Sequence, residues 1–332
     1  MQDKIARLLL ETAADRWITE LQKDTARSAR KLAEFGDLMA RSNRQHHFFD
    51  NAQRLLSRRD SGYYDFAQRL AVSVDRDVLK TFGMNFGFNS LAKGAKKIAS
   101  YEEETGAYLP WTVGMELSDD ADGFSLQRRL IEEGESLGIY TYFMDASQYS
   151  GDPDALISLC LKFSNSAFFL FCGASFLLKT IELASAANTV FLVDLHDPCA
   201  GSAAARLREN RRLWGCWLSY DNASAEEVIG GRYLPAIEGS ECDVLFFCNL
   251  PGTGQETIQR MRSYVDSLRA QDCPGYFACE AQSDVLYVDS TISPAAHAIF
   301  LRADGSACCA PANSRPLRFE GSLRELAARA AT

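Results

Sequence analysis

Pro110-Trp-Thr-Val-Gly-Met-Glu-Leu117, Ile139-Tyr-Thr-Tyr-Phe-Met-Asp145, Ala167-Phe-Phe-Leu-Phe-Cys172, Thr189-Val-Phe-Leu-Val-Asp-Leu-His196, Gly215-Cys-Trp-Leu-Ser-Tyr220 and Cys242-Asp-Val-Leu-Phe-Phe-Cys-Asn-Leu250 are six apolar runs, and their reading decides the fold. Each is short, rich in β-branched and aromatic residues, and ends in polar ones. Roughly 15 to 25 residues with helical periodicity separate successive runs, the pattern of repeated βαβ units. Right-handed crossovers would curl six such units into a partial (β/α)6 barrel of the TIM-like kind, an α/β fold whose polar residues gather at the C-terminal strand ends. The barrel is expected over 107–272, with a helical N-terminal extension over 1–106 and a small C-terminal α+β appendage over 273–332.

The extension has no strand pattern. Ile5, Leu8, Leu9, Trp17, Ile18 and Leu21 mark one apolar side of a first helix. Further helices are predicted over Ser28–Met39, Phe48–Leu56 and Tyr64–Val74, broken at the polar SNRQHH and RRDSG stretches. Thr81–Ile98, with Gly83, Gly87 and Gly94, matches neither the dinucleotide fingerprint nor the P-loop and reads as a tight helix-to-helix joint. His46 and His47 diverge by about 100° on a helix, so one metal ion would rarely take both. Beyond the barrel, Gln255–Gln271 reads as a long helix and AIFLRADGSACCA as a hairpin turning at Asp304-Gly305. The chain then closes with GSLRELAARAA, where Ser322 and Glu325 have capping-box spacing.

A chain of 332 residues that is 47% apolar can bury a sizeable core. A net charge of −9 and a pI near 5.1 give no basic footprint for nucleic acid or an anionic membrane. Neither a signal peptide nor a spanning helix is legible at the N-terminus, so the expected location is cytoplasmic. Of ten cysteines, Cys172, Cys216, Cys242 and Cys248 lie in or beside strand runs and read as small buried hydrophobes. The grouping of Cys273, Cys279, Cys308 and Cys309 has no usual zinc spacing, and His297 reads as a structural histidine. No GxSxG, HExxH or CxxC is present.

The run KTFGMNFGFNSLAKGAKKIASYEEETGAYLPWTVGMEL (Lys80–Leu117), followed by FSLQRRLIEEGESLGIYTYFM (Phe124–Met144), resembles radical S-adenosylmethionine enzymes with a helical N-terminal extension and a SPASM-like C-terminal extension. SNSAFFLFC, CDVLFFCNLPG and AIFLRADGSACCAP follow in the order and spacing of that family. The chain departs from it at the sites of chemistry. Where the family carries CxxxCxxC, this chain runs from Glu116-Leu117 through SDDADG to Phe124, and no cysteine precedes Cys160. Thiolates hold such clusters and aspartates are hard oxygen donors, so neither a 4Fe-4S cluster nor S-adenosylmethionine is expected as cofactor. The GGEP-like segment that grips the cofactor's amino group corresponds to Asp145-Ala146-Ser147-Gln148. Of the auxiliary-cluster cysteines, the first position falls near Thr291 and the second at Cys308 or Cys309, a SPASM-like remnant.

With these departures the resemblance implies a cluster-less pseudoenzyme, a binding or regulatory subunit for an active relative, a peptide or a small molecule. The alternative is an enzyme that reuses an acidic cleft, with a divalent metal as one option. The candidate ligand-binding residues are Glu116, Asp145, Gln148, Asp194, His196, Asp221 and Asn249, with Asp119, Asp120, Asp197 and Asn222 beside them; no catalytic residue is assigned. Asp194 and His196, two apart on a predicted strand, should share a face and anchor the cleft, with Asp145 and Asp221 in reach. Hard ions or cationic ligands suit such a ring. Loops also favour Asp and Asn for turn-forming hydrogen bonds, and Asp197 before Pro198 is a standard turn start.

Overall fold

The computed structural model describes residues 2–330 apart from 41–42, 59–60, 118–123, 271–274, 294–296, 311–316 and 320. Helices α1 (Gln2–Leu21), α2 (Thr25–Met39), α3 (Asn43–Leu55), α4 (Gly62–Ser73) and α5 (Arg76–Gly83) come first. The chain continues through a π-helical segment, Met84–Gly94, into α6 (Ala95–Thr105). Strand and helix then alternate: β1 (Thr112–Glu116), α7 (Ser125–Leu137), β2 (Thr141–Ala146), α8 (Pro153–Lys162), β3 (Ala167–Cys172), α9 (Ala174–Lys179), β4 (Thr189–Asp194), α10 (Ala200–Glu209) and β5 (Trp214–Tyr220). Two short helices, α11 (Ala225–Ile229) and α12 (Leu234–Ser240), lead to β6 (Val244–Asn249), α13 (Gln255–Ala270), β7 (Phe277–Glu280) and α14 (Ala281–Ile292). β8 (Ala298–Leu301), β9 (Ser306–Ala310), β10 (Leu317–Arg318) and α15 (Leu323–Ala330) end the described chain.

The six predicted runs form β1 to β6, and the expected partial barrel is observed. One ten-stranded sheet runs in the order β10-β9-β8-β1-β2-β3-β4-β5-β6-β7. Every pair from β8-β1 across to β6-β7 is parallel, while β9 and β10 are antiparallel. The parallel part therefore exceeds the six expected strands by one at each edge. β7 and β8 stand at its two ends, and α14, which connects them, packs against both and against β6. The hairpin of β8 and β9 turns at Asp304-Gly305, as the sequence reads, with Gly305 at φ 79.

A parallel sheet buries both faces, and period-2 alternation sorts them. The convex face carries Tyr142, Met144, Phe168, Leu170, Phe191, Val193, Leu218 and Phe247 into the main core beneath the surrounding helices. Inward on the concave face lie Phe169, Val190, Leu192, Phe246 and Cys279, and Phe82 from α5 is buried among them. Phe82 meets Phe169 edge-on at 5.5 Å, and Phe86 does so at 5.7 Å. The helical N-terminal residues thus fill one end of the barrel.

Thr81–Ile98 is no joint: α5, the π-helical segment and α6 are one continuous spiral. Buried Asn85 and Asn89 hold it down by donating from their Nδ2 groups to the carbonyls of Ser164, Asn165 and Ser166 before β3. Gly94 has a packing reason, since a Cβ there would lie 2.2 Å from the Gly138 carbonyl oxygen. Side-chain bonds to a neighbouring loop favour the widened helical turn over a break. The predicted capping box at the last helix is also replaced. Ser322 Oγ donates to Glu133 Oε1 at 2.8 Å, and the Leu323 and Arg324 amides donate to the same carboxylate. Glu133 of α7, instead of Glu325, supplies charge and acceptors at the helix start.

Cys172, Cys216 and Cys242 are buried in the core, Cys248 is half-buried, and Cys273 lies outside the described residues. His46 Nδ1 lies 2.7 Å from Asp37 Oδ1, an exposed pair. His297 stacks on Tyr108 at 5.7 Å, in keeping with a structural role. No described helix is long and apolar enough to cross a membrane. Phe82→Ala should lower the unfolding free energy by roughly 3–5 kcal/mol in urea denaturation, because the barrel end cannot collapse onto the void. An unchanged midpoint would show that the ring does not support the concave core.

Candidate functional site: the mouth of the concave face

Positions of the same parity as Phe143, Phe169, Leu192 and Phe246 point into the concavity, and towards the C-terminal strand ends these are Glu116, Asp145, Phe171, Asp194, Trp217, Ser219 and Cys248. Glu116 is the register partner of Asp145, Asp145 of Phe171, and Asp194 of Trp217, which is in turn opposite Phe246. Three carboxylates thus stand around an aromatic wall. Phe171 meets Trp217 at 6.0 Å and Phe246 at 5.7 Å, and Phe143 packs on Phe169 at 4.8 Å. Edge-on and offset rings at these spacings make a rigid surface whose faces are electron-rich. The Trp217 indole N–H is buried without a hydrogen-bond acceptor.

The Cys248 thiol senses this arrangement. Burial pushes it well above its ordinary range, and the charges of Glu280, Asp145, Cys279 and Asp194 add to the shift. Asp145 on β2 and Asp194 on β4 therefore act on one point of the concave face. The thiol stays neutral there and is a poor nucleophile.

Each aspartate is also partly engaged locally. Asp145 Oδ1 accepts from the Ser147 amide at 3.0 Å, and Asp194 Oδ1 from the His196 amide at 2.9 Å. Both are Asx turns, and both leave the second carboxylate oxygen free of described hydrogen bonds. Glu116 Oε2 accepts from the Ala303 amide at 3.2 Å.

The other expected members are placed differently. β4 ends at Asp194, so His196 lies in the following turn and not on a shared strand face. Its exposed ring sits edge-on to Tyr233 at 5.5 Å, with Nδ1 3.3 Å from Asp194 Oδ1. The Asx turn at Asp194 itself ends the strand and keeps the histidine beside that carboxylate from the turn. Asp221 is folded onto its own loop: Oδ1 accepts from the Ala223 and Ser224 amides and from Ser224 Oγ, bonds that hold its pKa below the usual value. Asn249 has the convex parity of Phe247 and faces away from the mouth. Gln148 is exposed in the turn after β2. Asp197 accepts from the Ala174 and Cys199 amides, and Asn222 from the Gly254 amide and Thr257 Oγ1. Asp119 and Asp120 lie outside the described residues.

The aromatic wall escaped the reading of strand ends alone. Its signal was present two residues upstream: Phe143 precedes Asp145, Trp217 precedes Ser219, and Phe246 precedes Cys248 at alternate positions.

No family model matches this chain, and no curated protein does. Two solved structures resemble it. The crystal structure of Streptococcus suis SuiB matches with a TM-score of 0.47 and 13% identity, covering 71% of this chain and 70% of that one. The crystal structure of the same protein bound to S-adenosylmethionine matches with a TM-score of 0.47 and 12% identity, covering 79% and 78%. Likeness at this level carries no inference about activity.

The two kinds of strand-end aspartate separate in mutagenesis. Asp194→Asn keeps an oxygen for the His196 amide and should change stability by no more than about 0.5 kcal/mol. Asp221→Ala removes three hydrogen bonds at once and should lower the melting temperature clearly. Equal effects in thermal denaturation would contradict this division.

Proposed function

We propose that this chain is a binding subunit whose concave mouth takes an organic cation, an amine or a basic peptide side chain, and that it does not cleave S-adenosylmethionine. The observation that carries the reading is the placement of Glu116, Asp145 and Asp194 on one face around Phe171, Trp217 and Phe246. Carboxylates with unengaged oxygens attract a cation, and aromatic faces hold it by cation–π contact worth about 0.5–2 kcal/mol each. An N–H with no acceptor, as on Trp217, would bond an acceptor atom of the same ligand.

The spread of these carboxylates over β1, β2 and β4 favours an organic cation over a metal. Among the described residues no three His, Cys, Asp or Glu side chains come together as a metal set. Hard divalent ions need several oxygens within about 2.0–2.6 Å, whereas a substituted ammonium can span carboxylates on separate strands. That no cysteine precedes Cys160 supports the cluster-less reading. A subunit of this kind would present its ligand or peptide to an active relative.

Thermal-shift measurements with tetramethylammonium, spermidine and a lysine-rich peptide, against Mg2+ and Mn2+, test this. At least one ammonium ligand should raise the melting temperature. Asp194→Asn should weaken that ligand about tenfold, equivalent to about 1.4 kcal/mol. No shift with any ammonium probe, or an equal shift in the variant, overturns the proposal. Anaerobic reconstitution with iron and sulfide should leave the protein colourless, and stoichiometric iron with a visible charge-transfer band would contradict the cluster-less reading.

A further inference from the structure

Of the three carboxylates at the mouth, Asp194 has a neighbour whose charge is not fixed. His196 Nδ1 lies 3.3 Å from Asp194 Oδ1, the same oxygen that accepts the His196 amide at 2.9 Å. One residue thus meets that oxygen twice, through its backbone and through its ring. The turn that carries it is closed on both sides, since the Leu195 amide donates to the Trp217 carbonyl at 3.0 Å and the Asp197 amide to the Asp194 carbonyl at 3.2 Å. Tyr233 sets the imidazole edge-on at 5.5 Å. The ring is therefore held beside the carboxylate. Its side chain is 45% exposed and that of Asp194 27%, so a proton and a ligand can both reach the pair from solvent.

The charged groups around the imidazole are otherwise engaged or distant. In the same turn, Asp197 gives Oδ2 to the Ala174 amide and Oδ1 to the Cys199 amide. Beside Tyr233, Arg232 pairs with Glu227 and lies over the Tyr233 ring at 5.8 Å, while Glu226 pairs with Arg260. Glu238 stands in the last turn of α12, and the basic residues of α9 and α10 stand in the last turns of those helices. Asp221 is bonded to Ala223 and Ser224, and Asp145 is on β2, with β3 between it and Asp194. Among the described residues, the imidazole is the ionisable group within ion-pair distance of Asp194.

We propose that His196 is a proton-operated gate on cation binding at the mouth: protonated, it neutralises Asp194 and competes with the ligand; neutral, it leaves the carboxylate to the ligand. The gate rests on the cation-binding reading above and adds its regulation. Imidazole is the side chain whose charge ordinarily changes between about pH 5 and pH 8. An imidazolium donates a charge-assisted hydrogen bond to a carboxylate, and a second cation arriving at the same anion finds its charge already balanced. The coupling is reciprocal, so a bound ligand cation must in turn help to expel the proton. Affinity therefore rises with pH and levels off once the ring is neutral. Water screens so exposed a pair, which keeps the effect moderate.

Isothermal titration calorimetry of the full chain with tetramethylammonium, whose charge does not titrate, tests this. Affinity should be at least about fivefold lower near about pH 5.5 than near about pH 8, a window above the ordinary range of carboxylates. At the lower pH, binding should release a fraction of a proton, read from the heats in buffers of different ionisation enthalpy. His196→Gln keeps the backbone amide on Asp194 and should bring the two affinities to within about twofold of each other. Equal affinities in the unmodified protein, or a ratio that survives in His196→Gln, overturn the gate and leave the cation-binding reading standing. No binding at the higher pH, where no imidazolium competes, overturns that reading and the gate with it.

Discussion

Everything in this molecule depends on covering the inner side of a curled parallel sheet. A parallel sheet has no face that tolerates water, yet its strands supply only part of the inner filling. Phe82 and Phe86 complete it from outside the strand sequence, stacked at 5.7 Å and set edge-on against Phe169. The helices before β1 are thereby part of the barrel's core, and the two asparagines that anchor the π-helical segment fix the rings at the depth they need. With one end filled in this way, the acidic strand ends lie at the other.

How legible was this in the sequence? Runs such as AFFLFC and TVFLVDLH declared their strands because both faces are buried, and the long helices declared themselves by period. β7 did not, since FACE offers four residues and α14 follows with no loop. The sequence also concealed long-range replacements for local signals: Glu133 sits 189 positions from Ser322, so no window would have paired them. Thr81–Ile98 misled for a related reason. Its glycines read as a break, while the bonds that keep it helical go to a loop some eighty residues downstream.

At the strand ends the sequence placed the right residue types but could not divide them. Aspartate after a strand serves a turn and a ligand equally well in one dimension. Three dimensions separate the cases by parity: Asp145 and Asp194 face the concavity with one oxygen each in a turn, whereas Asp221 has three donors on a single oxygen. The same Asx turn that fixes Asp194 terminates β4, so His196 meets Asp194 from the following turn, Nδ1 3.3 Å from Oδ1, and not along a shared strand face.

The position of β8 beside β1 has a consequence for how the chain is made. Gly114 cannot meet its partner Phe300 until everything from β2 to β7 has left the ribosome. At about 5–20 residues per second the outer edge of β1 waits roughly ten to forty seconds for its neighbour. Until then that edge presents unpaired amides and carbonyls beside Val113 and Met115.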